Sequence, residues 1–201
     1  LAGSLGILGV LLEVSLKVLP VARGTRTMLQ HIDAQSAIGL LGAVVQRGIP
    51  VTGSFWSAGV LHVRLEGSPS ALDEVTPSVD GEVMDAQAAA ALWHSVREQT
   101  HPYFASARPL WRLSLPATPV GAALIRAARV AFEWNGAQAW LSGVDRQTVD
   151  LITRTAGGQA TLFRRDDADD GTTGEVFAPL PATMLDLHRA VKRVFDPAGI
   201  L

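Results

Sequence analysis

The stretch from Gly3 to Pro20 constrains the fold of this chain more than any other. It begins with a glycine at every third position, Gly3, Gly6 and Gly9. Glycine is used where the backbone approaches a neighbour closely or adopts a positive φ. Apolar and polar residues then alternate from Val10 to Val18, which predicts a β-strand that the following proline ends. A glycine-rich loop that leads into a strand lets backbone amides approach a flat or anionic ligand.

Three other interpretations of this stretch are weaker. The glycine spacing differs from the G-x-G-x-x-G dinucleotide fingerprint, in which the glycines follow a strand rather than precede one. A membrane span is disfavoured because Glu13 and Lys17 interrupt an apolar run that is already too short. A signal peptide is disfavoured because no basic region precedes the run. A buried strand with a glycine-rich entry and no ligand stays open as the simplest alternative.

The composition is that of a globular protein. The 201 residues are 48% hydrophobic and 18% charged, which suffices for one large or two small domains. The formal net charge of −2 gives no general attraction to nucleic acid or to an anionic membrane. The absence of cysteine excludes disulfides, thiolate chemistry and cysteine-ligated iron–sulfur clusters within this chain. Because Leu1 falls directly in the glycine-rich loop, we expect a fragment of a longer protein, with part of a ligand site upstream.

The hydrophobic pattern predicts an α+β domain. Predicted strands cover residues 25–32, 49–56, 60–66, 81–84, 109–116, 131–141 and 159–165. Predicted helices cover residues 34–47, 68–79, 86–99, 120–129, 146–155 and 181–195, with Asp33, Asp85 and Asp145 as N-caps. The last helix carries Met184, Leu187, Val191 and Val194 on one side. The order begins β-α-β-β-α-β, so we expect a mainly antiparallel sheet covered by helices on one face, and two ferredoxin-like units sharing a sheet would fit.

The histidines carry no recognisable site chemistry. The five of them, His31, His62, His94, His101 and His188, have no metal-ligand spacing, and each is predicted to lie at the surface or at a strand edge. His62 shares a strand face with Arg64 and Glu66. We interpret that face as solvated rather than as the lining of a pocket.

Two charged clusters are interpreted in the same way. The acidic run 166–170 lacks the ligand spacing of a calcium loop and is predicted to be a flexible loop. Arg189, Lys192 and Arg193 are predicted to form a solvated helix face. The residues alone therefore identify no catalytic side chain and no metal site.

Several motifs resemble those of the FAD-linked oxidases of the vanillyl-alcohol-oxidase type. The run GSLGILGVLLEVSLKVLP at 3–20 is similar to the strand that lines the flavin in that family and then leaves for a cap domain. LHVRLEG at 61–67 and LWHSVRE at 92–98 resemble its cap elements, and FDPAGIL at 195–201 resembles its closing turn. Three further motifs have a narrower resemblance, to the FAD-binding subunits of bacterial glycolate oxidase, a glycolate dehydrogenase. They are LWRLSLP at 110–116, EWNGAQAWL at 133–141 and AGGQAT at 156–161.

The resemblance implies a division of the chain and a cofactor site. Residues 1–20 would be the exit strand of the FAD-binding domain, residues 21–194 a ferredoxin-like cap domain, and residues 195–201 the start of the closing turn back to the FAD domain. The backbone of Ser4, Gly6, Gly9 and Val10 would face the flavin. Gln159 stands where those subunits usually have histidine, so a proton-transfer role at this position is in doubt.

The resemblance also implies a function and partners. The whole subunit would take part in the oxidation of glycolate, a 2-hydroxy acid, to glyoxylate, with hydride transfer to FAD and electrons passed to a partner iron–sulfur subunit. A paralogous FAD-binding subunit would be a further partner, and the complex would be cytoplasmic or associated with the inner membrane. Two alternatives stay open: a non-catalytic assembly subunit of the same complex, and a stand-alone ferredoxin-like module for a small ligand.

Three properties are expected of the chain by itself. It should bind no FAD tightly and should be inactive, because the rest of the FAD domain would hold the pyrophosphate. Its two ends should meet, since both return to the FAD domain in the family. It should also self-associate through the apolar face of the predicted strand, which is formed by Leu12, Val14, Leu16 and Val18.

Overall fold

The computed structural model describes residues 3–105, 109–116, 129–166 and 175–201. It divides into two compact units. The sheet unit consists of Ala22–Ala178, and the terminal unit consists of Leu1–Val21 together with Pro179–Leu201. The first and last segments of the chain therefore contact each other.

The elements follow the predicted order closely. The strands are β1 Gly24–His31, β2 Val51–Ser57, β3 Val60–Gly67, β4 Glu82–Val83, β5 Leu110–Ser114, β6 Arg129–Glu133, β7 Gln138–Ser142 and β8 Gln159–Arg164. The helices are α1 Ala34–Gln46, α2 Pro69–Val75, α3 Ala86–Arg97, α4 Pro102–Ala105, α5 Arg146–Ala156 and α6 Ala182–Phe195. Short 3₁₀ turns follow α2 at Thr76–Ser78 and connect β6 to β7 at Trp134–Gly136.

One antiparallel sheet organises the sheet unit. Its eight strands lie in the order β4-β1-β3-β2-β6-β7-β5-β8. The first four strands have the order of a ferredoxin-like β-α-β-β-α-β unit, and the last four repeat that order in reverse. The halves join where β2 pairs with β6, with Phe55 opposite Glu133 and Ser57 opposite Ala131. The prediction of an α+β fold with a mainly antiparallel sheet made of two ferredoxin-like units is confirmed.

Local signals set the starts of the helices. Asp33 accepts hydrogen bonds from the Gln35 and Ser36 amides at the start of α1. Asp85 does the same for α3, and Asp145 accepts from the Thr148 amide at the start of α5. These bonds satisfy amides that have no partner within the helix. All three predicted N-caps are confirmed.

The helices of the two ferredoxin-like units lie on one face of the sheet, as predicted, and further helices cover the other face. On one face, Ile38 of α1, Leu72 of α2 and Val149 of α5 pack with buried strand residues such as Trp56. On the other face, Val96 of α3 and Phe104 of α4 pack against Phe55, Ala131 and Trp140. Phe55 and Trp56 are neighbours in β2 and therefore point to opposite faces. The connection from β4 to β5, which contains α3 and α4, is the segment that covers the second face.

The strand predicted at residues 10–18 is not formed. Residues 9–22 have no regular secondary structure. The apolar side chains of the predicted face are instead 62–94% exposed. Alternation shows that a segment suits a strand, but a strand exists only when a neighbouring strand supplies the ladder of hydrogen bonds. No described segment of the chain pairs with residues 10–18.

Two further differences concern helices. The short helix α4 was not predicted, because four residues carry too little periodicity to be recognised. The helix predicted at 120–129 lies outside the described residues except for Arg129, which begins β6. Most of the predicted acidic loop likewise lies outside them.

The terminal unit contains α6, which spans Ala182–Phe195. Its predicted apolar side is present in sequence, yet Met184, Leu187 and Val194 are 43%, 55% and 78% exposed. Within the described residues, no helix is long and apolar enough to cross a membrane.

Candidate functional site

The glycine-rich loop folds as a succession of turns in the terminal unit. Gly3 and Gly6 have φ angles of 83° and 87°, and Leu5 between them has a φ of 52°. The Ile7 amide donates to the Ser4 carbonyl at 3.1 Å. Positive φ explains the first two glycines, since other residues adopt it at a cost.

Gly9 has a different role from the other two glycines. Its φ is not positive, and a Cβ at this position would meet no atom within 4 Å. Nothing in the described chain therefore requires glycine there. Glycine at this position leaves the backbone open to a group from outside the chain.

The backbone of the loop offers unused donors to such a group. Among the described residues, no acceptor is found for the loop amides other than that of Ile7. Ser4 and Gly9 are half-buried, whereas Gly6 and Val10 are exposed. The four residues implied to face a flavin therefore form one accessible backbone segment, whose donor chemistry suits a planar heterocycle or an anion. These amides, rather than side chains, would be the groups that hold a flavin.

A lysine and an aspartate connect this loop to the closing turn. Lys192 Nζ donates to the Ile7 carbonyl at 2.7 Å and to the Leu201 carbonyl at 2.6 Å. It also contacts Asp196 Oδ2 at 2.5 Å. We call the Lys192–Asp196 pair with these backbone partners the terminal latch. The prediction that the two ends of the chain meet is confirmed by these contacts.

Asp196 shapes the turn that follows α6. Its Oδ1 accepts from the Ile200 amide and its Oδ2 from the Leu201 amide, each at 2.9 Å. Its side chain is only 5% exposed. The hydrogen bond from Lys192, followed by those from the two amides, holds the pKa of this carboxyl far below its usual range. The carboxylate of Asp196 is therefore ionised at neutral pH.

Lys192 is the residue of the candidate site that the sequence interpretation missed. It was placed on a solvated helix face, and that prediction is wrong, because its side chain is 26% exposed and its ammonium group has three oxygen neighbours. The signal was present as a lysine four residues before an aspartate at a helix end. Cations in the last turn of a helix interact favourably with its final carbonyls.

His62 also differs from its prediction. It lies on the face covered by α3 and α4 and is 8% exposed, stacked on Phe55 with 6.4 Å between ring centroids. Its Nδ1 has no hydrogen-bond partner within the described structure. Burial lowers the pKa of His62. His31, His94 and His188 are exposed as predicted, and His101 is half-buried against the edge of Phe55.

The EWNGAQAWL motif forms the hairpin between β6 and β7. Trp134, Asn135 and Gly136 all have positive φ, at 54°, 56° and 87°. The Asn135 amide donates to Ser54 Oγ at 2.7 Å, and this anchors the turn to β2. Trp134 is 73% exposed beside a shallow groove of about 300 Å³. None of the described residues that line this groove is ionisable, so it offers less chemistry than the glycine loop.

The AGGQAT motif forms the junction between α5 and β8. Gly157 has a φ of 76° and ends α5. A Cβ on Gly158 would lie 2.4 Å from the Ser114 carbonyl oxygen, so only glycine fits there. Gln159 is exposed at the start of β8, opposite Ser114. Both glycines serve the fold, and no described contact gives Gln159 a catalytic role.

No metal centre is found among the described residues, since no three histidine, aspartate or glutamate side chains gather closely enough.

The side-chain interactions of the LHVRLEG and LWHSVRE motifs are structural. Arg64 lies over the Trp93 ring at 5.2 Å, and the Trp93 indole donates to Thr27 Oγ1 at 2.9 Å. These contacts attach α3 to β1 and β3.

By its fold, the chain is an α+β protein whose eight-stranded antiparallel sheet is made of two ferredoxin-like units. Sequence comparison is more specific. Over all 201 residues the chain is 33% identical to the glycolate oxidase subunit GlcE of Escherichia coli (strain K12). It spans 54% of that protein's length, about half. No family model matches the chain. The resemblance to glycolate oxidase subunits is therefore confirmed, with the relation extending over the whole of this chain and part of the relative.

Proposed function

We propose that this chain is the cap portion of an FAD-binding glycolate oxidase subunit and that its glycine loop forms part of the flavin site. The terminal latch is the observation that supports this most directly. It brings together the two motifs, at 3–20 and 195–201, that resemble flavin-domain connections in one family. The identity to the E. coli subunit over all 201 residues supports the same assignment.

The proposed division of the chain follows the resemblance. Residues 1–20 would belong to the exit from the FAD-binding domain, residues 21–194 to the cap, and residues 195–201 to the return. The compact units change at Val21 and Pro179, so α6 groups with the terminal segments. Helix α6, which the resemblance assigns mainly to the cap, is thus in the same compact unit as the exit and return segments.

FAD, when bound, would supply a two-electron oxidation in which the hydride on the α-carbon of glycolate is transferred to flavin N5, the hydroxyl proton is released to solvent and glyoxylate is formed. The contribution of this chain would be to bind and orient. The amides of Gly6, Gly9 and Val10 would donate to the ring system. Lys192 would keep the loop in place and would donate no proton, because all three of its N–H groups already have acceptors.

The proposed partners are those of a multi-subunit oxidase. Electrons would pass to an iron–sulfur subunit, and a paralogous FAD-binding subunit would complete the complex. The complex would be cytoplasmic, with association at the inner membrane made through its other subunits.

The test uses the whole subunit that contains this chain, purified with its partner subunits. We expect a flavin absorbance spectrum and reduction of a dye acceptor that depends on glycolate. An otherwise identical complex without this subunit is the control. The proposed substrate class would be contradicted by a complete complex that contains FAD in this subunit but does not oxidise glycolate or other short 2-hydroxy acids.

A second candidate function is favoured by Gln159, which stands where the resemblance implies histidine. In this case the subunit would bind FAD or its partners for assembly, and the paralogous subunit would carry the reaction. Anaerobic mixing of the isolated subunit with glycolate separates the two candidates. Bleaching of its own flavin supports the catalytic role, whereas bleaching only in the presence of the paralogous subunit supports the assembly role.

A further inference from the structure

We propose that Lys192 and Asp196 are positioning residues that hold the glycine loop in the conformation that receives the flavin. This inference rests on the proposed function, because it assigns a role to the latch within that flavin site. It concerns residues outside the motif that points to the flavin. Neither residue would touch the cofactor, and both would act through the backbone of the loop.

The geometry restricts Lys192 to an internal role. An ammonium group has three N–H donors. Its acceptors here are the Ile7 carbonyl, the Leu201 carbonyl and Asp196 Oδ2, at 2.5–2.7 Å. No donor remains for a phosphate or a carboxylate ligand. The lysine therefore connects three parts of the terminal unit: the glycine loop, the end of α6 and the closing turn.

The loop depends on this contact more than an ordinary loop would. Its one described backbone bond joins Ile7 to Ser4. Gly6 and Gly9 lie on either side of the segment that contains Ile7, and glycine loses more conformational freedom on ordering than other residues. The bond from Lys192 to the Ile7 carbonyl thus fixes the loop at its middle. A binding segment that is ordered beforehand loses less entropy when its ligand binds.

Asp196 keeps the lysine in place and closes the turn. Its two carboxylate oxygens accept from Lys192 and from the amides of Ile200 and Leu201. Because the carboxylate is buried, the charge of Lys192 and the two amides are needed together. Loss of either charged partner would leave the other without compensation, so the two substitutions should not be additive.

The experiment uses the whole subunit with Lys192→Met, Asp196→Asn, the double variant and Lys192→Arg. Arg193→Met is the matched control, because Arg193 is an exposed cation on the neighbouring position of α6. Two quantities are measured: the FAD dissociation constant of the apoprotein by fluorescence titration, and hydrogen exchange of the amides of residues 4–10 without FAD. Amides of β3 and β7 report on the sheet unit.

We expect Lys192→Met and Asp196→Asn to raise the FAD dissociation constant by about tenfold or more, the effect of losing hydrogen bonds to a charged group. Exchange in residues 4–10 should be faster in the apoprotein, with β3 and β7 unchanged. The double variant should lose no more FAD affinity than the single variant that binds FAD less tightly. Lys192→Arg should retain part of the affinity that Lys192→Met loses. Arg193→Met should resemble the wild type.

The outcomes separate the inference from the proposed function. Wild-type FAD affinity in both single variants overturns the positioning role. Unchanged exchange in the loop overturns the role of the latch in ordering it. Faster exchange across β3 and β7 as well would assign the pair a general structural role and would also overturn the inference. A wild-type subunit that binds no FAD contradicts the proposed function and the positioning role together, while the exchange data would still establish the latch.

Discussion

His62 shows how burial changes the meaning of a residue. Its ring is enclosed by Phe55 and by the helices on the second face of the sheet, and its Nδ1 has no described partner. A charged imidazolium at this place would be poorly solvated. Burial is the largest cause of the lowered pKa of His62, a backbone hydrogen bond at Phe55 acts in the opposite direction, and His101 and His31 lower the pKa further.

The first prediction is that stability falls as the pH drops below about 6.5. The unfolded chain protonates His62 near its ordinary pKa of 6.5, whereas the folded chain does so only at lower pH. The unfolded state therefore binds more protons in this window, and the free energy of unfolding decreases as the pH falls. Urea unfolding at pH 7.5 and 5.5 measures the effect.

His62→Gln should reduce this pH dependence, and His188→Gln, an exposed histidine, should leave it intact. The comparison isolates His62, because the buried Glu133, whose pKa is raised by burial, titrates in all three proteins. Equal pH dependence in the wild type and His62→Gln would contradict the prediction.

The second prediction concerns Gly158. A methyl group there would lie 2.4 Å from the Ser114 carbonyl oxygen and 2.5 Å from Leu115 Cδ2, so β5 or the start of β8 must shift. We expect Gly158→Ala to lower the free energy of unfolding by about 1–3 kcal/mol. Gly42→Ala is the control, since Gly42 is a helical residue with open space around it, and it should stabilise the chain by about 0.5–1 kcal/mol. A neutral Gly158→Ala in thermal unfolding would argue against this close approach.

Elements with local signals are the ones that could be predicted from sequence. Asp33, Asp85 and Asp145 start their helices through bonds that reach only two or three residues along the chain. The segment 10–18 was predicted as a strand on equally good local grounds and is not one, because pairing depends on a partner elsewhere. The coverage of the second sheet face by α3 was not predicted either, since His62, Arg64 and Glu66 make that face of β3 polar in sequence.

The third prediction belongs to this unpaired segment. Leu12, Leu16 and Val18 are 79–94% exposed, and burying each such side chain is worth roughly 1.5–3 kcal/mol before ordering costs. We expect the isolated 201-residue chain to self-associate and deletion of residues 1–18 to give a monomer, as measured by light scattering.

A point substitution makes the same test without shortening the chain. Leu12→Lys and Leu16→Lys should weaken the association, whereas Lys17→Glu, on the other side of the alternating pattern, should not. An intact chain that is monomeric at high concentration would show that the exposed segment is not an association surface.

At the scale of the molecule, the candidate site was predicted in part. The loop residues Ser4, Gly6, Gly9 and Val10 were identified from their motif, and their role toward a flavin stays a prediction. The latch was missed because Lys192 lies among other basic residues on α6, and its partner Ile7 is 185 positions away. A contact of that separation leaves no trace in one sequence beyond the pairing of Lys192 with Asp196.

The fourth prediction is that the isolated chain binds no FAD tightly. The loop offers a few backbone amides, and its nearby cation has no free donor, so the pyrophosphate would gain no strong partner there. Purified chain should lack a flavin absorbance band, and titration with FAD should show no saturable binding at micromolar concentrations. A yellow protein with near-stoichiometric flavin would contradict this, whereas the whole subunit serves as the positive control.

The strand order is symmetric about the centre of the sheet. From one edge the strands are β4-β1-β3-β2, and from the other edge the equivalent strands are β8-β5-β7-β6. Equivalent strands, β2 and β6, meet antiparallel at the centre, as they would across the two-fold axis of a homodimer. Helices α1, α2 and α5 all lie on one face, as a two-fold axis perpendicular to the sheet requires. The sheet unit thus has the arrangement of a two-fold symmetric dimer, with both halves in a single polypeptide. The pairing of β2 with β6 covers one edge strand of each half. Because the chain connects the halves, they stay associated even when their sequences diverge.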